Sequence, residues 1–387
     1  MSNIGIDSIA FSTSKYFFAL ENLAVHRGVE FGKYSNGIGQ LKMSVFPSNE
    51  DIVTIAIDAA QKAVSKIEDT SSIDLLIFAT ESSFDLSKAA GIYVHHFLNL
   101  REDCRVMEIK QACYSATAAL QLAKSFVLQN SASKVLVVGS DIVKYSPGSS
   151  GEPTQGGAAV AFIISADPRV LIIEDGSGVH TNDIMDFWRP ISESEAIFDG
   201  KLSAYNYLKS LEISFARYLK KTDRTISDID HVCFHAPFGK MARKGARQIR
   251  WQKSIDNTLI YNSVIGNSCS ASLYICLLSL LDNSPDLANS RIGLYSYGSG
   301  SVAEYFSGII CEKYKSCITP EKNRRFLESR HKISFEEYEL FCRNQFPLES
   351  ETYENAGAFQ LKAIENKRRI YTCKGSIHVR RNMSPIG

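Results

Sequence analysis

The chain has 387 residues, 44% hydrophobic and 22% charged, with a formal net charge of +1. That length suits one large composite domain or two medium ones, and the composition is that of an ordinary globular protein. The near-neutral balance excludes a global basic field for nucleic acid or an anionic membrane surface, and apolar runs such as LYICLLSLL (273–281) are too short to span a bilayer.

At the N-terminus, MSNIGIDSIAF has no basic segment leading into an apolar one, so no secretory leader is expected and the expected compartment is the cytoplasm. IDLLIFAT (73–80) is an apolar, β-rich run and predicts a strand. KAAGIYVHHFLNL (88–100) and TAALQLAKSFVLQ (117–129) have helical spacing. Between them, RVMEIKQAC (105–113) reads as an edge strand through which two copies could pair as a homodimer. KVLVVGSD (134–141) and GAAVAFIIS (157–165) predict buried strands. Residues 171–228, which hold DIMDFWRP and DGKLSAYNYLKSL, read as an inserted segment with its own helix. Strands alternating with helices are the grammar of an α/β sheet covered on both faces.

The order then repeats. IDLLIFATE (73–81) is echoed by IDHVCFHAP (229–237). KQACYSATAALQLAKSFVLQNSASKVLVVGSD (110–141) is echoed by IGNSCSASLYICLLSLLDNSPDLANSRIGLYSYGSG (265–300). GGAAVAFIISA (156–166) is echoed by GSGSVAEYFSGII (298–310). Three matches in one order predict two halves built on one plan, 1–170 and 171–387. Strand ends at equivalent places can then meet across a pseudo-two-fold axis. Glu81 and Cys113 from the first half would face His235, Asn267 and the YGSG turn (297–300) from the second.

Each of these residues suits a chemical task. Cys113 lies near a predicted helix start, where backbone N–H groups favour a thiolate, and an imidazolium from His235 would favour it further. The small residues after it would let a substrate approach. A thiolate exchanges with a thioester to give an acyl-cysteine whose α-protons stay acidic. Glu81, at the mouth of an apolar strand, would have a raised pKa and could take a carbon-bound proton. Two backbone N–H groups of the Ser299 turn, with that of Cys113, would form an oxyanion hole. Lys240 and Lys244 stand one turn apart on a helix expected after His235, as mobile charges for a phosphorylated ligand. The plainer alternatives are a buried structural thiol, a solvated glutamate, a core histidine, a simple turn and a solvated helix face. For Cys113 the turn, the small residues and the repeat favour the chemical reading; for Glu81 the solvated state is the commoner one, and for His235 the two readings are about even without the repeat. The nine cysteines are scattered, with no C-x-x-C and no zinc spacing, and no phosphate-binding glycine motif occurs. No metal and no cofactor are expected.

ATESSFDLSKAAGIYVHH, KQACYSATAALQLAK, GSSGEPTQGGAAVA, DFWRP, DGKLSAYNYL, CFHAPFGKM and YSYGSGSVAEYFSG together resemble hydroxymethylglutaryl-CoA synthases of the bacterial type. The resemblance runs from about residue 3 to about 312 and implies the thiolase-like five-layered αβαβα fold of two duplicated halves. It implies Cys113 as acyl acceptor, Glu81 as general acid/base and His235 as the residue that polarises the second acyl group. Asn267 and Ser299 match substrate- and oxyanion-contacting positions. Thr154, Ser203, Lys240 and Lys244 match CoA-thioester-contacting positions, and Tyr145 matches a pocket tyrosine. The implied substrates are acetyl-CoA and acetoacetyl-CoA, condensed with water in the mevalonate route to isoprenoids. The alternative within the family is a polyketide β-branching synthase acting on an acyl-carrier protein, for which Lys244, Arg247 and Arg250 could supply a docking patch. A non-catalytic scaffold of the same fold is disfavoured because Glu81, Cys113 and His235 are all present. Two features depart from the resemblance. Cys269 lies two residues after Asn267, and the basic tail RRIYTCKGSIHVRRNMSPIG (368–387) reads as a disordered or docking segment.

Overall fold

A computed structural model describes residues 3–191, 193, 195–343 and 356–374. The first sheet region runs in the order Ile4–Ser12, Gly156–Ala166, Lys134–Val143, Ile73–Ala79, Arg105–Ile109. The last three strands are parallel, and Gly156–Ala166 is antiparallel to both of its neighbours. The second region orders Leu171–Ile173, Val302–Ile310, Arg291–Gly298 and His231–Phe234. Leu171–Ile173 pairs with both Ile4–Ser12 and Val302–Ile310, so one hydrogen-bonded ladder runs through both regions.

Strand alternation sorts side chains into layers. Leu75, Ile77, Val135, Val137, Val160 and Phe162 face the central core. Their neighbours Leu76, Phe78, Leu136, Val138, Ala161 and Ile163 face the outer helix Ile52–Val64. That helix starts at a capping box, where the Asp51 carboxylate accepts from the Val53 and Thr54 N–H groups and Thr54 answers back. Such a cap contributes about 1 kcal/mol. The helices Ser115–Gln129 and Ser272–Asn283 fill the middle, and Gly200–Thr222 and Gly239–Gln248 cover the second region from outside. The result is the five-layered thiolase-like arrangement.

The halves match closely. The middle helices start at Ser115 and Ser272, and the strands after them start at Lys134 and Arg291, the same distance on. In that correspondence Ala112 matches Cys269, and both are left-handed, with φ of 44° and 43°. Residues 171–228 are not an insertion throughout. Leu171–Ile173 and Gly178–Thr181 belong to the sheet, and Gly200–Thr222 packs on it. Strands this short are hidden in sequence because they carry too few residues for a period. The tail also differs from expectation. Arg368–Cys373 pairs with Phe359–Glu365, and the Tyr371 hydroxyl and Arg369 both reach Asp51 Oδ2, at 2.6 and 2.9 Å. The rest of the tail, 375–387, lies outside the described residues.

Candidate active site

Glu81 follows the end of strand Ile73–Ala79 and is held there through Asp141, a fully buried residue of strand Lys134–Val143. Asp141 Oδ1 accepts from Thr80 Oγ1, the Glu81 N–H and Ser82 Oγ, each at 2.8 Å. Its Oδ2 accepts from the N–H and hydroxyl of Ser270, in the other half. One carboxylate thus ties the Glu81 loop to the turn that carries Cys269. The helix begins at Ser115, so Cys113 sits in the turn ahead of it. Gly298 lets the second half approach that turn, since a Cβ there would lie 2.5 Å from Gln111 O and 2.7 Å from Tyr114 N.

Cys113 Sγ lies 3.6 Å from Glu81 Oε2, and Cys269 Sγ lies 2.8 Å from Glu81 Oε1. Burial, reinforced by the Asp141 charge, pushes Glu81 up to about 7, against hydrogen bonds from Cys269 and Cys113. The neighbouring Cys269 side chain pulls the Cys113 thiol down, but burial and the charges of Glu81 and Asp141 outweigh it and push the thiol up to about 12. The sequence-based expectation of a depressed thiol pKa therefore fails. Cys113 precedes the helix rather than capping it, and two carboxylates stand close by. Nor is there an imidazolium to help. Burial alone takes His235 down to about 3, so the ring is neutral. His235 is held through its backbone, its N–H donating to Tyr295 O and its carbonyl accepting from Tyr207 Oη, both at 2.7 Å. Its Nδ1 is buried without a hydrogen-bond partner among the described residues.

Glu81, Cys113, Tyr145, Thr154, Ser203, His235, Asn267 and Ser299 all line one cavity of about 250 Å³. The Tyr145 ring packs edge-on against Phe198, 5.3 Å between centroids, and burial holds its phenol protonated. Gly151 makes room for that ring, because a Cβ there would sit 2.8 Å from it. The Thr154 hydroxyl donates to Gly151 O, and its carbonyl accepts from the Asn267 N–H. Asn267 Oδ1 in turn accepts from the Cys269 N–H. Ser203 lies in the first turn of its helix, its N–H bonded to Asp199 O. Lys240 and Lys244 are exposed on helix Gly239–Gln248 and do not line the cavity, although Phe238 and Met241 beside them do. The Gly300 N–H is taken by Asp186 Oδ1 at 2.9 Å. The Cys113 and Ser299 amides are left as candidate oxyanion donors.

Sequence reasoning misses three supporting groups. Asp141 ends KVLVVGSD, and a carboxylate on so apolar a strand was the available signal. Asp186, the first residue of DFWRP, is buried and anchors both Tyr297 Oη and Gly300 N. The contact of Cys269 with Glu81 joins residues far apart in the chain, and no local pattern announces it.

Family models for the N-terminal and C-terminal parts of hydroxymethylglutaryl-coenzyme A synthase match residues 1–169 and residues 171–250 with 246–374. The match thus continues well past residue 312, where motif resemblance fades. The chain is 40% identical to a hydroxymethylglutaryl-CoA synthase of Enterococcus faecalis, covering 95% of this chain and 99% of the relative. It is 32% identical to a polyketide biosynthesis 3-hydroxy-3-methylglutaryl-ACP synthase of Bacillus subtilis (strain 168), covering 89% of each. A crystal structure of HMG-CoA synthase complexed with CoA superposes with a TM-score of 0.91 at 38% identity, covering 96% of this chain and all of that one.

Proposed function

The chain belongs to the hydroxymethylglutaryl-CoA synthase family, and we propose that Cys113, Glu81 and His235 divide the family's chemistry between them. The enzyme condenses acetyl-CoA with acetoacetyl-CoA and water, giving 3-hydroxy-3-methylglutaryl-CoA and CoA. Cys113 attacks the acetyl thioester. Its proton passes to Glu81 and on to the departing CoA thiolate, leaving acetyl-Cys113. Glu81 then removes a methyl proton, and the carbanion attacks the 3-keto carbon of acetoacetyl-CoA. The proton held by Glu81 returns to the new alkoxide. Water finally cleaves the thioester and regenerates the Cys113 thiol.

The observation that carries this reading is the Glu81 carboxylate 3.6 Å from the Cys113 sulfur, in one cavity with His235. A carboxylate with a pKa of about 7 is half ionised near neutrality, so it can take a proton and give it back. The neutral His235 donates a hydrogen bond to the keto oxygen as charge develops there. The thiol is protonated at rest, and the base that accepts its proton is in contact with it, so the proton leaves as the sulfur attacks rather than beforehand. Every acid–base step falls to a side chain, with CoA thioesters as substrates and no separate cofactor.

Tyr145, Thr154 and Asn267 shape the acyl end of the cavity, and the Ser299 and Cys113 amides receive the oxyanion. Ser203 borders the entrance. Lys240 and Lys244, outside it, meet the polar part of CoA. Free CoA thioesters are favoured over a carrier protein because identity to the CoA-named relative is 40% against 32% for the ACP-named one. Turnover with free acetyl-CoA, set against turnover with an acetylated carrier protein, tests this. Faster turnover by the carrier would reverse it. We also place the enzyme in the cytoplasm as a homodimer, paired along the Arg105–Ile109 edge where Met107 is exposed. No described helix is long and apolar enough to cross a membrane.

A further inference from the structure

We propose that Cys113, Cys269 and Glu81 form a site for a thiophilic divalent cation, zinc in the first place, and that the bound cation silences the enzyme by occupying its nucleophile. The silencing claim rests on the reading of Cys113 as nucleophile. The binding claim does not.

The three ligand atoms, two sulfurs and a carboxylate oxygen, lie within 4.8 Å of one another. Zinc holds sulfur at about 2.3 Å and carboxylate oxygen at about 2.0–2.2 Å in a tetrahedron, which places ligand atoms roughly 3.5–3.8 Å apart. The Cys113 sulfur stands 3.6 Å from Oε2 and the Cys269 sulfur 2.8 Å from Oε1, so the carboxylate has to turn to offer one oxygen to a cation held between the two sulfurs. Sulfur ligands select zinc over magnesium or calcium, which prefer oxygen.

The ligands also sit on a fixed frame. Asp141 grips the Glu81 backbone and the Ser270 backbone next to Cys269, and Asn267 Oδ1 holds the Cys269 N–H. Supports of this kind orient metal ligands before the metal arrives. All three residues border the cavity, so the fourth coordination position opens toward the space that the acyl group would enter. In binding, each thiol gives its proton to solvent and each thiolate supplies an electron pair, so two protons leave as one cation enters, and a third leaves where Glu81 starts protonated. A cation on Cys113 and an acetyl group on Cys113 exclude each other. Cys269, which stands apart from the pattern of the resemblance, is what completes the set.

Cobalt(II) serves as the optical probe and zinc as the calorimetric one, each added to fully reduced full-length enzyme without oxygen. One cation per chain should bind, with a thiolate-to-cobalt charge-transfer band. Zinc should stop acetyl transfer to Cys113, a chelator should restore it, and prior incubation with acetyl-CoA should block the cation. Cys269→Ala should weaken binding by about tenfold or more. Cys269→Ser, which keeps the side chain's size, should weaken it likewise. Equal affinity in wild type and both variants, or cobalt bound without a thiolate band, would overturn the site. Zinc that binds through Cys269 yet leaves acetylation at its metal-free rate would overturn the silencing claim. The nucleophile assignment fails separately, by acetyl label appearing on another cysteine, and the cobalt band is read without turnover.

Discussion

The thiol of Cys269 donates to Glu81 Oε1 at 2.8 Å, while Cys113 contacts the other oxygen, Oε2. That bond favours the ionised carboxylate and opposes the burial that raises its pKa. Replacing Cys269 by Ala removes the donor, so the Glu81 pKa should climb further. The acidic limb of kcat/KM should move to higher pH, while Cys269→Ser should leave it closer to wild type. An unmoved limb in Cys269→Ala would show that the contact does not tune the base.

The wild-type profile has a definite sign. In the proposed mechanism Glu81 acts as a base, so its charged form is the active one. With its pKa at about 7, activity should be low in acid and rise as pH increases through about 7. His235, already neutral above about 3, should add no inflection between pH 5 and 8. Initial rates measured across that range check both statements.

Asp141 touches no substrate in this account and acts by positioning. It accepts from Thr80, Ser82, the Glu81 N–H and two groups of Ser270. An Asn side chain would turn an NH₂ group toward some of those donors. Asp141→Asn should lower unfolding stability by about 2–3 kcal/mol in denaturant titration. It should also shift the Glu81 limb downward, because the Asp141 charge helps to raise that pKa. A purely structural aspartate would change the first measurement and leave the second alone.

Lys240→Ala or Lys244→Ala should raise KM for acetoacetyl-CoA about two- to fivefold with kcat little changed, as both lysines are exposed and their attraction is screened. The effect should fade as salt rises. KM values unchanged at low salt would reduce the pair to a solvated helix face.

Much of this architecture is legible in sequence, for identifiable reasons. Strands such as Lys134–Val143 are long, apolar and bounded, so composition alone reveals them. The duplicated order in the sequence by itself brings Glu81, Cys113, His235 and Asn267 toward one place. What escapes is short or three-dimensional. Leu171–Ile173 has three residues, and only its pairing partners make it a strand. The Cys113 thiol pKa goes the opposite way from a helix-start argument, because burial and two carboxylates act through space. The matched left-handed turns at Ala112 and Cys269 are backbone facts that neither residue type advertises.

In the proposed mechanism Cys113 carries the acyl group and Glu81 makes its methyl carbon reactive. Glu81→Ala separates the two roles, since losing the carboxylate removes the condensing base and also one of the charges that hold the Cys113 thiol up. The direct measurement is the mass of the Cys113 peptide after incubation with acetyl-CoA alone, in wild type and in Glu81→Ala. An acetyl group is expected on that peptide in both, formed more slowly in the variant, where solvent has to take the thiol proton, with condensation on adding acetoacetyl-CoA slowed by about 10²–10⁴. Acetyl label on a different cysteine, or condensation at the wild-type rate without Glu81, would contradict it.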